Sequence, residues 1–304
     1  CARIDVLDMS FYRQVALGGS IGAAESYMDQ AWQADDLCRV IQILVRNRDL
    51  LDSMEGGLAT LANQLLKVWH FANRNSQQGS RKNIAAHYDL GNELFALFLD
   101  QHGMYSSATF YHPELSLEDA STAKLERICR KLHLQPEDHV LEIGTGWGGF
   151  ATYAAKNYGS RITTTTISKE QYQAAKQRIA DAGVANRVTV LMEDYRDLQG
   201  SFDKLVSIEM IEAVGHHYLD TYLKQCAALL KPNGLALIQA ITIEDRYYQQ
   251  ALKSVDFIKS YIFPGSFIPC VSAIVASASR TSTGSSSFAT SQMIVRVFGT
   301  LPAI

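Results

Sequence analysis

From Asp138 onward, short apolar runs alternate with stretches whose apolar positions recur at helical spacing. That alternation predicts a parallel sheet wrapped by helices on both faces, an α/β fold of the Rossmann-like kind. Strands are expected at His139–Ile143, Arg161–Thr166, Val188–Met192, Phe202–Ile208 and Leu235–Ile243. Helices are expected near Gly149–Asn157, Lys169–Ala182 and Tyr218–Leu230, and Pro232-Asn233-Gly234 supplies a turn into the fifth strand. Right-handed crossovers would gather the ligand-binding loops at the carboxyl ends of these strands.

The pattern differs at both ends of the chain. Leu37, Val40, Ile41, Leu44 and Val45 fall at helical spacing, and Leu58 to Phe71 forms a second amphipathic candidate. Residues 1–80 therefore read as a small, mainly helical domain closed by the polar linker RNSQQGSRKN. Arg74, Arg81 and Lys82 in that linker could touch anionic lipid headgroups, although three cations more often only solvate a linker. Residues 81–278 form the α/β domain. Residues 279–304 change character: Ser and Thr dominate, no acid follows Arg280, and Tyr261 is the last tyrosine. The segment reads as a flexible terminus or as sequence translated out of frame, and the C-terminal strands of the sheet are expected to be incomplete.

Between strand and helix stands VLEIGTGWGGF, Val140 to Phe150. Glycines there let a turn close and let backbone N–H groups and a helix N-terminus approach a ligand. The spacing of Gly144, Gly146 and Gly149 also satisfies a dinucleotide fingerprint, so the surroundings must decide. A dinucleotide site wants a carboxylate at the tip of the second strand, about 20 residues on. That tip is ITTTTIS, Ile162 to Ser168, without an acid. An acid does stand two places before the first glycine, Glu142, which resembles the position where S-adenosylmethionine (SAM)-dependent methyltransferases place one to tie down the loop and approach the methionine end. SAM is favoured over a nicotinamide dinucleotide.

Composition narrows the partners. With 304 residues, nearly half of them apolar, and a net charge of -3, the chain can bury a proper core and carries no basic excess of the kind nucleic-acid binding shows. Five cysteines, Cys1, Cys38, Cys129, Cys226 and Cys270, lack metal-ligand or disulfide spacing, so no metal is expected. No run is long enough to span a membrane, which points to a cytoplasmic protein.

Further candidates lie on the expected ligand edge. Thr166, Ser168 and Gln171 could hold ribose hydroxyls, or Ser168 could simply cap a helix. Glu193, Asp194 and Tyr195 follow the third strand, where an acid can accept the adenine amino proton and an aromatic ring can stack; a solvated strand end is the alternative. Glu209 and Glu212 sit in the apolar run IEMIEAVG, where a buried acid needs a partner. His216 and His217 are adjacent, which on a helix makes their side chains diverge and argues against a metal pair. The block HYDLGNELFALFLDQHGMYSSATF offers Leu94, Phe95, Leu97 and Phe98 either as core or as an apolar lid over the SAM methyl.

Taken together, ESYMDQAW, HYDLGNELF, MYSSATF, VLEIGTGWGGFA, TTISKEQ, EDYRDL, FDKLVSIEMIEAVG and SVDFIKSYIFPGSFIP resemble the cyclopropane-fatty-acyl-phospholipid synthase family, which includes mycolic-acid cyclopropane synthases and related lipid methyltransferases. The resemblance runs from about Gly18 to Ala278. It implies a class I SAM methyltransferase acting on cis-unsaturated acyl chains of membrane phospholipids, peripheral to the inner membrane, in a family whose enzymes are often homodimers. It also implies a bound bicarbonate ion as the base that closes the ring, with Glu212 and the backbone of Ile241 as contacts. Tyr105, Ser106, Gly144, Thr166 and Gln171 match SAM-contacting positions; the loop glycines Gly146 and Gly148, with Glu142, Asp194 and Tyr195, complete the expected cofactor set.

Three departures bear on the acceptor side. Ser107 stands where many members have Cys, and Gln239 replaces a His, exchanging an imidazole for an amide. The third is the tail, which matches nothing in the family, including its active-site tyrosine. The expected catalytic group is therefore Glu212, Gln239, Ile241 and Ser107. Two alternatives stay open: methyl addition without ring closure, and a remnant that binds SAM or lipid without turnover.

Overall fold

The computed structural model describes residues 1–47, 79, 92–282 and, for the backbone, 292–300. The expected amphipathic segment Leu58–Phe71, the linker with Arg74, Arg81 and Lys82, the boundary near Ser80 and residues His87 to Gly91 of the lid block lie outside the described residues.

Residues 1–47 contain a small antiparallel pair, β1 (Ile4–Val6) and β2 (Trp32–Ala34), and helices Ser10–Met28 and Leu37–Arg46. The two short strands were not legible in the sequence. Gly19 breaks the first helix with φ 57 and ψ -134, a conformation for which glycine is the natural choice. Asp36 caps the second helix by accepting from the Arg39 N–H.

The centre is a sheet of parallel strands: β3 (His139–Ile143), β4 (Arg161–Thr165), β5 (Val188–Leu191), β6 (Phe202–Ile208), β7 (Leu230–Thr242) and β8 (Gln292–Thr300). Their spatial order is β5-β4-β3-β6-β7-β8. The order reverses at β3, so β4 and β6 flank the strand that feeds the glycine turn, and a crevice opens there at the carboxyl edge. Register puts Glu142 opposite Thr164 of β4 and Val206 of β6, and Ile208 opposite Gln239 of β7.

Alternation along β3 divides the core in two. Val140 faces a cluster with Leu125, Phe150, Ala175 and Leu237, whereas Leu141 and Ile143 face one with Tyr222, Leu223, Phe267 and Ile274. Cys129 and Cys226 are buried as small apolar side chains of these clusters, and Cys270 is a buried free thiol at the start of helix Val271–Ser282.

One strand boundary needs correction. β7 begins at Leu230 rather than Leu235, because Leu230 already pairs with Phe202 before the register jumps to Lys204 and Leu235. The Pro232-Asn233-Gly234 turn is therefore an interruption within the pairing, with Asn233 at φ 65. Helix Val271–Ser282 runs on past Ala278, and Arg280 pairs with Asp220 at 2.7 Å. β8, rich in β-branched residues, lies parallel to β7 from Gln292 to Thr300. The C-terminal side of the sheet, expected to be incomplete, carries this one edge strand among the described residues.

Candidate active site

The turn after β3 is built for close backbone approach. Gly144, Gly146 and Gly148 take φ values of 96, 53 and 83, all in the region that L side chains avoid. Gly149 is needed for a different reason: a Cβ there would lie 2.4 Å from the His102 carbonyl oxygen. The Gly144 and Thr145 N–H groups donate to the Thr165 carbonyl at 3.1 and 2.9 Å, which ties the turn to β4. Beneath it Glu142 is buried and accepts from Thr164 Oγ1 at 2.6 Å. Burial pushes its carboxyl up to about 8, against the lowering effect of that bond.

At the tip of β4 the cap and the expected ribose site coincide. Ser168 caps helix Lys169–Asp181 by accepting from the Gln171 N–H at 3.2 Å. Thr166 Oγ1 donates to Gln171 Oε1 at 2.9 Å, so a buried hydroxyl and amide are held side by side facing this loop.

An aromatic wall stands beside the turn. Trp147, within the glycine loop, packs on Phe95 at 4.9 Å between ring centroids, and its Nε1 donates to Asn92 Oδ1 at 2.7 Å. Tyr105 joins Phe95 at 5.3 Å and stacks on Phe263 at 6.3 Å. Phe95 is buried while Leu94, Leu97 and Phe98 remain exposed, so the block is core at one residue and an exposed apolar cover at the others. Ser106, next to Tyr105, is gripped by Lys124, a fully buried lysine whose Nζ donates to Ser106 Oγ at 2.7 Å and its carbonyl at 3.3 Å. Burial lowers the Lys124 ammonium to about 8, while Glu209 and Asp100 oppose the shift.

The expected acceptor-side residues fall into two adjoining groups. Ser107 donates to Glu209 Oε1 through its N–H at 3.0 Å and its Oγ at 2.7 Å, and Gln239 Nε2 donates to the same oxygen at 2.7 Å. Next to them the Ile241 N–H donates to Glu212 Oε1. Gln239 and Glu212 are buried, and Gln239 Oε1 and Glu212 Oε2 have no hydrogen-bond partner. Burial pushes Glu212 up to about 8, two backbone bonds oppose this, and the Glu209 charge adds to it. Glu209 takes φ 48, a left-handed conformation that a glutamate adopts only where the surroundings hold it.

Glu209 and Lys124 are the residues that the expected set lacked. Lys124 carries no signal in the sequence, and Glu209 stands beside Glu212 as an acid in an apolar run without an assigned role.

Tyr195, expected to stack on the adenine ring, is buried against Tyr222 at 5.2 Å, with the Arg196 guanidinium 5.1 Å from its ring. The neighbouring Asp194 is also buried, and both of its oxygens accept from Arg196 at 2.8 Å. His216 and His217 occupy a short turn rather than a regular helix, and their rings lie together, 3.7 Å between centroids, instead of diverging. No cluster able to hold a metal exists among the described residues.

A parallel sheet reversing at its first strand, a glycine turn above a buried acid, and an acid-free second strand tip define the class I SAM-methyltransferase fold. The chain belongs to the mycolic acid cyclopropane synthetase family, whose model matches residues 75–290. It is 38% identical over 271 residues to the tuberculostearic acid methyltransferase UfaA1 of Mycobacterium tuberculosis, covering 86% of this chain and 62% of that one. Against the cyclopropane-fatty-acyl-phospholipid synthase of Escherichia coli K12 it is 37% identical over 278 residues, 91% of this chain and 69% of the relative. Among solved structures, the mycolic acid cyclopropane synthase CmaA1 complexed with SAH and CTAB superposes with a TM-score of 0.61 at 29% identity, covering 66% of this chain and 74% of that one.

Proposed function

We propose that this chain transfers a one-carbon unit from SAM to the cis double bond of a phospholipid acyl chain, closing a cyclopropane ring. The observation that carries the reading is the meeting, on one sheet edge, of the glycine turn above Glu142 with the buried cluster around Glu212 and Gln239. When bound, SAM supplies a methyl on a sulfonium, electrophilic enough for an alkene to attack. The positive-φ glycines of the turn would let the backbone come against the cofactor, and Thr166 and Gln171 would hold its ribose. Glu142, buried under the turn, would meet the cationic methionine end. The rings of Phe95, Tyr105, Trp147 and Phe263 keep water from the reacting carbons, as a carbocation requires.

The acceptor reaches the site from a membrane surface. Leu94, Leu97, Phe98 and Phe110 are exposed apolar residues able to enter the headgroup region, and no described helix is long and apolar enough to cross a membrane. The family resemblance also implies bicarbonate. The donors that would hold it fit poorly: Ser107 and Gln239 already donate to Glu209, and the Ile241 N–H to Glu212. Of the unpartnered atoms left in this cluster, Gln239 Oε1 can only accept, and Glu212 Oε2 donates only while its carboxyl, raised to about 8, keeps its proton.

A second reading is methyl addition without ring closure, favoured by Gln239 and by the likeness to a relative named as a tuberculostearic acid methyltransferase. Incubation with methyl-labelled SAM and vesicles of unsaturated phospholipid separates the two. Label in ring-bearing acyl chains supports the first reading, and label in branched or methylene chains supports the second. SAM binding without transfer refutes both.

A further inference from the structure

We infer that Glu209 supplies, from within the chain, the anion at the acceptor side of this site, and that its carboxylate takes the proton whose loss closes the ring. This rests on the transferase reading above. Three donors from two distant segments converge on a single Glu209 oxygen: the Ser107 N–H at 3.0 Å, the Ser107 hydroxyl at 2.7 Å and the Gln239 amide at 2.7 Å. Such a convergence is what a bound oxyanion receives. Here the oxyanion is covalently part of β6's end, and the backbone accepts a left-handed φ of 48 to deliver it.

The arrangement also leaves the carboxylate competent. Among the described residues all its hydrogen bonds fall on Oε1, so the lone pairs of Oε2 remain for a proton. The buried Lys124 ammonium lies close enough to interact with it, and holds Ser106, whose neighbour Ser107 donates twice. A second, imported anion would meet this charge with the Ser107, Gln239 and Ile241 donors already engaged, which is unfavourable in a half-buried site.

The step balances without a co-reactant. After methyl transfer the acyl chain carries a carbocation beside the new methyl. A C–H bond of that methyl breaks, its electron pair forms the carbon–carbon bond that closes the ring, and the proton goes to Glu209 Oε2. A neutral carboxylic acid and a neutral ring result; the acid returns its proton to water between turnovers.

The test compares wild type, Glu209→Gln and Glu209→Gly in buffer stripped of carbon dioxide, with and without added bicarbonate. Glycine suits the left-handed backbone at this position, so Glu209→Gly removes the carboxylate without a conformational cost. Ring formation by the wild type should change less than about twofold on adding bicarbonate, and Glu209→Gln should lose about 100-fold or more. Its affinity for SAM should stay within about threefold, and Glu209→Gly should recover about tenfold when bicarbonate enters the vacated seat. A wild type that depends on bicarbonate, or a Glu209→Gln that still closes rings at the wild-type rate, overturns the inference. Carbon-13 bicarbonate titration gives a readout without turnover. Binding to Glu209→Gly but not to wild type supports the resident anion, and equal binding overturns it. Absence of any methyl transfer by the wild type, by contrast, sinks the transferase reading itself.

Discussion

Replacing Glu142 by Gln should flatten the dependence of stability on pH. The carboxyl is buried, its bond from Thr164 Oγ1 survives in the amide, and burial raises it to about 8 in the folded chain. A carboxyl raised on folding holds its proton more tightly in the native state. Its stabilising effect is therefore complete below the unfolded pKa and is lost as pH climbs toward the folded one. Within that window each pH unit costs about 1.4 kcal/mol, so from about pH 5.5 to pH 7.5 the loss approaches about 2.7 kcal/mol. Comparing the two slopes cancels any pH-independent cost of burying the new amide. Urea unfolding of both proteins at the two pH values gives the difference, and in thermal unfolding it amounts to a divergence of about 5 °C in Tm. Parallel curves would mean that Glu142 is already ionised in the fold, refuting its burial without a cationic partner. If Glu142 faces the cationic end of SAM, cofactor binding near neutral pH should also release a proton, measurable by titration calorimetry in buffers of different ionisation enthalpy.

Other perturbations test separate parts of the site. Gly149→Ala should push Cβ into the His102 carbonyl, displace the aromatic wall's neighbour strand of chain and weaken SAM binding by about tenfold or more; unchanged affinity would show that the approach is not needed. Tyr195→Phe removes a buried hydroxyl without a partner, so stability should hold or rise by about 1 kcal/mol while SAM affinity stays unchanged. A large loss of SAM affinity would restore Tyr195 to the adenine site.

What sequence could and could not reveal follows from the range of the interactions. β3 and β6 fall on the residues expected, and the Ser168 cap is where local pattern puts it, since it depends on a neighbour three positions on. The burial of Tyr195 is not legible because alternation fades at a strand end, where one residue decides between core and edge. Glu209 was underrated for a different reason. Its partners, Ser107 and Gln239, stand 102 positions before and 30 after it, and only the folded sheet makes them converge. Lys124 likewise sits among polar helix residues, and nothing in helical spacing says that its amine is buried under Ser106. The 279–304 segment read as Ser-rich, yet the later run Gln292–Thr300 has the β-branched content that lets it pair with β7.

The central claim is that the glycine turn presents SAM to an acyl double bond on the same sheet edge. Mass spectrometry and proton NMR of phospholipids recovered after incubation with the protein and SAM measure this directly. The account predicts acyl chains that have gained one CH2 and show cyclopropane ring protons in place of the alkene. Lipids recovered unchanged, with SAM unbound or bound but unconsumed, would contradict it.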